Sequence, residues 1–429
     1  MLITLVMIGL GVLLALGTPV GFALLISGAI GLLAKGGMGM TIGILGTSAA
    51  SAANGYELIT IPMFMLMAEM VILSGVATSL FTSAATWVGR VPGGLGIATA
   101  LAGAGFAAIS GSSTASAATL ASTTIPGMLK EGYEPKLACG VVAISGTLAM
   151  LIPPSIALIL YGIVADVSIG KLLVAGIIPG ILVTIVIALT VVTLVILDPS
   201  KAPNAKAYTL RQKFASLPPV APMLLLFAIV TGLIYSGIAT PTEASAIGAA
   251  GAFVLALRAG SINGSSLFNS LARAVRSTCM IIMTILGAHV FGYFIALTQV
   301  TQQLVDWVNA LGLPAIAVIA AILFALLILG MFMDQAAIIV LTVPVLLPVV
   351  VALGYDPIWF GVVMIITAEV GMVTPPIGLN SFVVARYTGR PLGEVFYGVL
   401  PHVWAHFIII ALLVLLPQIV LWLPSTMSR

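Results

Sequence analysis

Charged side chains are scarce in this sequence. Lysine, arginine, aspartate and glutamate make up 6% of 429 residues, whereas a soluble domain carries roughly 25%. Hydrophobic residues make up 61%, and runs such as 172–197 and 407–423 match the roughly 20 apolar residues that cross a bilayer. The composition excludes an ordinary soluble domain and predicts an all-α polytopic membrane protein.

Cysteine, histidine and basic clusters are also rare. The two cysteines, Cys139 and Cys279, lie in apolar segments without metal-ligand spacing, so a disulfide framework is not expected. The net charge of +3 is spread over loops, which argues against nucleic-acid binding. The serines at 110–116 have no histidine near them in sequence, so no nucleophile–base pair is visible. We therefore expect neither an enzyme nor an organic cofactor.

The N-terminal hydrophobic run, residues 2–17, is followed by another hydrophobic stretch, and similar runs occur along the rest of the chain. This pattern predicts a first membrane span rather than a cleaved signal peptide.

Prolines recur at one constant offset of 222 residues. Because proline is infrequent (24 in all), several matches at one offset indicate an internal repeat. The sequence therefore predicts two copies of one unit, residues 1–210 and 211–429. The matching positions are Thr18-Pro19 with Thr240-Pro241, Pro92 with Pro314, Pro126 with Pro348, Gly132-Tyr133-Glu134-Pro135 with Gly354-Tyr355-Asp356-Pro357, Pro153-Pro154 with Pro375-Pro376, and Pro179 with Pro401.

The positions of basic residues predict that the two copies are inverted in the membrane. Cytoplasmic loops carry an excess of lysine and arginine, and two predicted loops, 198–219 and 258–276, are basic. Counting spans outward from these loops places residues 130–136 inside and their equivalents, 354–357, outside. The basic residues of the two loops are Lys201, Lys206, Arg211, Lys213, Arg258, Arg273 and Arg276.

Each copy contains an apolar stretch interrupted near its centre by small or polar residues. These stretches, 95–128 and 316–350, begin and end on the same side in the span count, which predicts two re-entrant helical hairpins. Each hairpin is followed by a helix broken at Pro153-Pro154 or Pro375-Pro376, because proline cannot continue a helix. Inverted repeats with broken helices that meet at the bilayer midplane are typical of secondary transporters.

The motifs GSSTASAATLASTTIPGM (111–128), IPPS, TPPIGLN and the GYEP and GYDP loops resemble the large membrane subunit of tripartite ATP-independent periplasmic (TRAP) transporters, in the ion transporter superfamily. The similarity covers essentially the whole chain. It implies Na⁺-coupled, elevator-type uptake of an organic acid across the bacterial inner membrane. It also implies two partners, a periplasmic substrate-binding protein and a small membrane subunit. Because the chain starts directly in its first span, the small subunit is expected to be a separate chain. The alternative is a stand-alone Na⁺ or H⁺ symporter of the same superfamily that needs no binding protein.

Each repeat is predicted to divide into a scaffold, an arm and a transport unit, and the arms are predicted because tryptophan is mixed with polar residues just before each hairpin. The scaffold is predicted over 1–80 and 220–298, the arms over 80–91 and 299–313, and the transport unit over 93–197 and 314–423.

The candidate site residues lie at the hairpin tips and the proline breaks, where hydroxyl and carbonyl oxygens suit Na⁺ and half-helix ends suit an anion. For the serines the alternative is helix packing, and for Asp334 it is a helix cap. The predicted substrate-binding residues are Ser113, Thr114, Ser116, Ser155 and Asn380. The predicted Na⁺ ligands are Ser110, Ser112, Ser113, Pro153, Asp334, Thr374, Pro375 and Gly378.

Three further acidic residues, Glu69, Glu243 and Glu369, lie in predicted spans. We expect structural hydrogen bonds at Glu69 and Glu369, with proton coupling as the alternative. Glu243 follows Thr240-Pro241 and is expected in a first helical turn, where a carboxylate complements the helix dipole.

Overall fold

The computed structural model describes residues 2–203 and 207–427, with the backbone alone at residues 51–53, 77, 108 and 109. Within these ranges every regular element is a helix. Residues 1, 428 and 429, at the ends of the predicted repeats, and Lys206 of the predicted basic loop lie outside the described residues.

The first half of the chain forms ten α-helices with three short 3₁₀ turns, Tyr56–Ile59, Leu148–Met150 and Pro199–Lys201. The α-helices are α1 (Leu2–Ala15), α2 (Val20–Asn54), α3 (Thr60–Leu73), α4 (Val76–Val88), α5 (Gly94–Ser110), α6 (Ser113–Lys130), α7 (Pro135–Thr147), α8 (Ile156–Ala165), α9 (Ile169–Ala175) and α10 (Ile177–Leu197).

The second half forms eleven further helices across its described residues. They are α11 (Leu210–Ala215), α12 (Ala221–Tyr235), α13 (Pro241–Arg258), α14 (Gly264–Thr298), α15 (Val300–Ala310), α16 (Ala315–Phe332), α17 (Gln335–Ala352), α18 (Pro357–Val373), α19 (Leu379–Thr388), α20 (Leu392–Leu415) and α21 (Gln418–Ser425).

Prolines and polar caps determine where several helices begin. Pro135, Pro241 and Pro357 occupy the first turns of their helices, where the missing N–H has no intrahelical partner to lose. Thr240 and Glu243 form a capping box at the start of α13, with the Thr240 amide donating to Glu243 at 2.8 Å. Glu243 therefore lies in a first helical turn, as its sequence position predicts.

Helix bounds recur at the offset seen in the sequence. Helix α6 (Ser113–Lys130) and α17 (Gln335–Ala352) are separated by 222 residues at both ends. The breaks also recur, with cis peptide bonds at both Pro153-Pro154 and Pro375-Pro376. The opposite orientation of the two copies in the membrane stays a prediction.

Seven helical segments among the described residues are long and apolar enough to cross a membrane: Val20–Ala50, Tyr56–Leu73, Ile169–Leu197, Gly264–Thr298, Ala315–Phe332, Gln335–Ala352 and Leu392–Leu415. The all-α polytopic membrane fold is confirmed. Two of the seven, α16 and α17, form the second predicted hairpin. With 18 residues each they are about 27 Å long, so the re-entrant path of this hairpin stays a prediction.

The first predicted hairpin folds back on itself. Tyr133, just beyond the end of α6, accepts a hydrogen bond from the Leu95 amide in the first turn of α5 at 3.0 Å. Thr99 of α5 and Met128 of α6 are also in contact, at 3.6 Å between oxygen and sulfur. The outer ends of the two helices therefore lie side by side.

The predicted loop at 258–276 is wrong. Helix α14 already begins at Gly264, because Asn263 and Ser266 cap it reciprocally through their side chains and amides, at 2.7 and 2.9 Å. Arg273 and Arg276 therefore belong to a 35-residue helix. Arg273 is bonded to Glu69 of α3, with Nε and Nη2 each 2.8 Å from Oε2. The expected structural hydrogen bond of Glu69 is thus present, and only the short connection 259–263 remains outside the helices.

The helices form two sets of neighbours. In the first set α14 lies along α2 and α3, α13 lies along α3 and α12, and α1 lies against α2. The second set contains α5 to α10 and α16 to α20, with α4 lying against α5 and α15 against α17. Movement of one set relative to the other stays a prediction.

Glycines allow α2 and α14 to approach closely. A Cβ added at Gly21 would lie 2.7 Å from the Met283 carbonyl oxygen, and one added at Gly28 would lie 2.8 Å from the backbone of Phe291. Small residues permit this kind of backbone approach between membrane helices. The α2–α14 pair therefore has no space for side chains at these two positions.

Candidate functional site

The first hairpin tip lies directly against the start of α8, just beyond the first proline break. Helix α5 ends at Ser110, Gly111 takes a left-handed conformation (φ 54°), and Ser112 caps α6 by accepting from the Ala115 amide. A Cβ at Gly111 would lie 2.8 Å from the Ile156 side chain. The structure thus brings together the first tip and the first break, as the predicted ion site requires.

Hydroxyl groups are concentrated at this tip. The Ser110 and Ser116 oxygens lie 2.5 Å apart, and the Ser112 and Thr114 oxygens lie 3.3 Å apart. Ser113 is fully buried, and its hydroxyl has no hydrogen-bond partner among the described residues. Buried polar atoms are normally paired, so the unpartnered Ser113 hydroxyl has its full hydrogen-bonding capacity available for a bound ion or ligand.

Ser155 bridges the first break. Its hydroxyl accepts from the Leu158 amide at 3.2 Å, which caps α8, and donates to the Met150 carbonyl before the break. Both bonds hold the broken helix in place, so any contact between Ser155 and substrate would share the hydroxyl with this structural role.

The second tip and the second break also meet. The Gly378 amide donates to the carbonyl of Met331, in the last turn of α16, at 3.4 Å. Thr374 donates its hydroxyl hydrogen to the Val370 carbonyl at 2.6 Å, which leaves the oxygen lone pairs free for a cation. The second tip and the second break are therefore adjacent in the fold, and ion binding at this place stays a prediction.

The two breaks differ in their surroundings. Pro153 and Pro154 are buried, whereas Pro375 and Pro376 are exposed. Pro154 lines a small cavity together with Met67 of α3 and Met223 of α12, which belong to the first set of helices. One break is thus covered by the neighbouring helices and its equivalent is open.

Each half-helix that follows a break packs against a helix of the other repeat. Helix α19 packs on α6 of the first hairpin, and α8 packs on α17 of the second. Asn380, in the first turn of α19, is fully buried, and neither atom of its amide has a partner among the described residues. Four helix N-termini (α6, α8, α17 and α19) therefore begin at the tips and breaks, and each carries a partial positive charge and free N–H groups.

Gln335 is a candidate that sequence reasoning missed. It is the first residue of α17, 222 positions after Ser113, and is fully buried. Neither side-chain atom has a partner in the part of the chain that the structure describes. The repeat offset itself was the available signal, because it pairs Gln335 with Ser113.

A cavity of about 660 Å³ lies beside the second tip. Its charged lining residues are Arg276 and Asp334. Asp334 occupies the cap position of α17, but its side chain makes no regular cap hydrogen bond. The backbone amides of Ala336 and Ala337 nevertheless lie near its carboxylate. Of the predicted site residues only Asp334 lines this cavity. The full lining is Pro19, Val20, Gly21 and Phe22 from α2 and the residue before it, Arg276, Cys279, Met280, Ile281, Met283 and Thr284 from α14, and Asp334, Ala336 and Ala337 from the second hairpin.

Comparison with known proteins places the chain among transport permeases. Residues 7–419 match the family model of the tripartite ATP-independent periplasmic transporter, DctM component. The C4-dicarboxylate TRAP transporter large permease protein DctM of Pseudomonas aeruginosa is 37% identical over 86% of each chain. The sialic acid TRAP transporter large permease protein SiaM of Vibrio cholerae is 33% identical over 97% of this chain and 96% of that protein. The solved structure of the Alcanivorax borkumensis YdaH transporter matches with a TM-score of 0.62 at 15% identity over 86% of each chain, a likeness of fold alone.

Proposed function

Because the chain belongs to the DctM family of tripartite ATP-independent periplasmic transporters, we propose that it takes up an organic acid across the bacterial inner membrane in symport with Na⁺. Its proposed partners are a small membrane subunit and a periplasmic protein that delivers the acid. The named relatives handle a C4-dicarboxylate and sialic acid, so an organic acid is the substrate class that they share.

The observation that carries this proposal is the set of buried, unpartnered polar side chains at the tips and the second break. Ser113, Gln335 and Asn380 are fully buried, and each has polar atoms without a partner among the described residues. A buried donor or acceptor left unsatisfied costs about 1–3 kcal/mol. A bound ion or polar ligand would supply the missing partners.

Two Na⁺ sites are proposed, one at each meeting of tip and break. The first uses oxygens of Ser110, Ser112, Ser113 and Pro153. The second uses the Thr374 hydroxyl and the backbone at Pro375 and Gly378, with Asp334 at its edge. Hydroxyl and carbonyl oxygens are the ligands expected for a hard cation at a broken helix. The close contacts of Gly111 with Ile156 and of Gly378 with Met331 support these pairings.

The substrate is proposed to bind between the tips, near Ser113, Thr114, Ser116, Ser155 and Asn380. The helix N-termini at this place favour a carboxylate, because their N–H groups and dipoles suit an anion.

Alternating access is proposed to exchange the surroundings of the two breaks. The burial of Pro153 and Pro154 and the exposure of Pro375 and Pro376 support a transporter with two conformational states. In the second state the first break would be open and the second covered. An elevator-type movement of α5–α10 and α16–α21 along the scaffold would achieve this exchange.

Na⁺ binding can be tested without knowing the substrate. The unfolding free energy of the purified protein is measured in NaCl and in KCl at equal ionic strength. A ligand at 100 times its dissociation constant stabilises the folded state by about 2.7 kcal/mol, so Na⁺ should stabilise the wild type. Ser112→Val and Thr374→Val should each reduce the Na⁺ effect, because valine has no oxygen to offer the ion.

Two matched variants serve as controls. Thr388 makes the same backbone bond at the far end of α19, to Val384 at 2.8 Å, and Ser122 bonds to the Thr119 carbonyl on the exposed side of α6. Thr388→Val and Ser122→Val should retain the full Na⁺ effect. An equal response to NaCl in all four variants would refute the ion sites. Uptake into reconstituted vesicles with and without the cognate binding protein would then separate a tripartite system from a stand-alone symporter.

A further inference from the structure

A second cavity, of about 230 Å³, lies where the first predicted arm meets the outer end of the first hairpin. Its walls come from α4, from the adjoining ends of α5 and α6, and from the stretch between α10 and α11. The lining includes Phe81 of α4, Lys130 at the end of α6, and the tyrosines Tyr133 and Tyr208. None of the candidate ion or substrate residues lines this cavity.

The cavity lies at the edge of the bilayer, on the side that the basic loops predict to be cytoplasmic. Helix α10, part of a segment that is apolar enough to cross the membrane, ends at Leu197. The chain then passes beside the end of the first hairpin, where the Lys201 carbonyl accepts from the Glu134 amide at 2.8 Å. Pro203, two residues further on, already lines the cavity. Because lipid headgroups begin where the hydrocarbon core ends, the cavity and the headgroups are at the same depth.

Helix α11 presents an apolar face that is largely exposed. Leu210 and Phe214 are four residues apart and therefore share one face, and they are 72% and 61% exposed. With 3.6 residues per turn, Arg211 and Lys213 lie on the two sides of this face. Apolar residues flanked by basic ones are typical of a helix that lies in the membrane interface.

Helix α11 is attached to the first arm by aromatic and polar contacts. The Trp87 ring of α4 meets the Phe214 ring edge-on, with 5.7 Å between their centres, and the Lys213 ammonium lies 5.8 Å from the centre of the Trp87 ring. A cation over an indole ring is a favourable contact. The hydroxyl oxygens of Ser83 and Ser216 lie 3.2 Å apart. A ligand that holds α11 at the membrane would therefore also hold α4.

The charges around the cavity favour an anion. Lys130 lines the cavity, Arg90 directly follows α4 and its lining residue Gly89, and Arg211 lies on α11. These three basic residues have no ion pair among the residues that the structure describes. Glu131 also lines the cavity, but it takes part in an interaction of its own. The cavity therefore has basic side chains at its edge that an anion can neutralise.

The size and the polar groups of the cavity suit a phosphate headgroup. Sites for whole small molecules usually measure roughly 300–1,000 Å³, which is more than the volume of about 230 Å³ found here. Tyr133 accepts from the Leu95 amide at 3.0 Å and keeps its own hydroxyl hydrogen to donate, and the Tyr208 hydroxyl is a second donor. A small cavity with donors and a cation, next to an exposed apolar face, matches a phosphate that carries acyl chains.

We infer that the headgroup of an anionic phospholipid binds in this cavity, with Lys130 and Arg211 at its phosphate and with its acyl chains against Leu210 and Phe214. Basic pockets at the cytoplasmic ends of membrane helices recognise anionic headgroups in this way. The bound lipid fixes α11 and, through Trp87, the arm helix α4. The inference adds a lipid site to the proposed function and is independent of the transported acid and of Na⁺.

Trp87 is a native reporter for lipid beside α11, because bromine on an acyl chain quenches the fluorescence of a tryptophan that it contacts. The exposed Trp307, Trp404 and Trp422 are replaced by phenylalanine, which leaves Trp87 and the fully buried Trp359. Vesicles of phosphatidylcholine receive a minor fraction of brominated phosphatidylglycerol or of brominated phosphatidylcholine. The affinity for phosphatidylglycerol should be higher by about fivefold or more, since each nearby basic side chain contributes about fivefold. Equal quenching by the two brominated lipids would overturn the inference.

Three variants test whether the preference arises at this cavity. Lys130→Gln and Arg211→Gln should each lower it about fivefold. Arg258→Gln should leave it unchanged, because Arg258 is exposed at the end of α13 and does not line the cavity. A protein that keeps Trp307 in place of Trp87 should show no preference, because the second arm contains no lysine or arginine. An equal preference at Trp307, or an undiminished preference in Lys130→Gln and Arg211→Gln, would refute the site.

Thermal unfolding in detergent distinguishes a lipid from a free anion. Added phosphatidylglycerol should raise the melting temperature of the wild type more than phosphatidylcholine does, and the difference should shrink in Lys130→Gln and in Leu210→Ser. Inorganic phosphate and glycerol 1-phosphate lack acyl chains and should leave the melting temperature unchanged at the same concentrations. Stabilisation by these soluble phosphates that is lost in Lys130→Gln would identify a free phosphate as the ligand and overturn the lipid assignment. An undiminished lipid effect in Leu210→Ser would contradict the contact between the acyl chains and α11.

Discussion

The close contact of α2 with α14 leads to a quantitative prediction for Gly28→Ala. The new Cβ would lie 2.8 Å from the Phe291 backbone, whereas ordinary contacts begin at 3.4 Å. The two helices would therefore have to separate by about half an ångström. Overpacking of this kind costs about 1–3 kcal/mol, while replacing glycine by alanine inside a helix gains about 0.5–1 kcal/mol.

Gly43→Ala is the matched control, because Gly43 also lies inside a helical segment of α2, beyond the kink at Gly37, and a Cβ there would meet nothing within 4 Å. The gain from helix propensity is common to both variants and cancels in their difference. We therefore expect Gly28→Ala to unfold with a free energy about 1–3 kcal/mol below that of Gly43→Ala. Equilibrium unfolding in mixed micelles of mild detergent and dodecyl sulfate measures this difference. Equal unfolding free energies for the two variants would show that the α2–α14 contact is not tightly packed and would refute the reasoning.

Two further predictions concern polar contacts. Ser155→Ala should lower the unfolding free energy by about 1–2 kcal/mol, because a buried helix cap is lost. Ser168→Ala, which removes the exposed cap of α9, should lower it by less. Equal losses of the two variants in chemical denaturation would contradict the structural role of Ser155. Glu69→Gln should lower the unfolding free energy by about 1 kcal/mol or less, since the Arg273 side chain is 52% exposed and solvent screens the pair. Arg276→Gln should leave the unfolding free energy unchanged. A larger loss for Arg276→Gln than for Glu69→Gln would reveal a structural partner of that side chain.

The sequence predicted the helical membrane fold and several helix bounds well, because prolines and caps act locally. Helix α13 begins at Pro241, where Thr240, Pro241 and Glu243 predict a first helical turn. The loop predicted over 258–276 is wrong because basic residues mark the cytoplasmic side of a membrane protein, not the end of a helix, and here α14 continues through them. Arg273 instead remains in a helix, since Glu69, 204 positions away, provides its partner.

The candidate site was predictable only in part. The tips and the breaks could be located because polar residues and paired prolines stand out in an apolar sequence. The cavity could not be located, because it forms where α2, α14 and the second hairpin meet, and no local pattern links Pro19, Arg276 and Asp334. Gln335 does not stand out locally, because a single neutral amide beside Asp334 at a helix start resembles an ordinary capping residue, and only its burial without partners marks it.

The packing of each half-helix on the hairpin of the other repeat has a consequence for biosynthesis. Helix α8 is synthesised about 170 residues before its partner α17, and the interval between α6 and its partner α19 is longer still. A nascent chain that ends after the first repeat would therefore hold a broken helix with its polar backbone uncovered in the lipid, where unsatisfied groups are costly. Helices α2 and α3 likewise lack their partners until α13 and α14 have been synthesised. Neither repeat can complete its packing alone, so we expect the two halves, expressed as separate chains, to accumulate only when both are present in the same membrane.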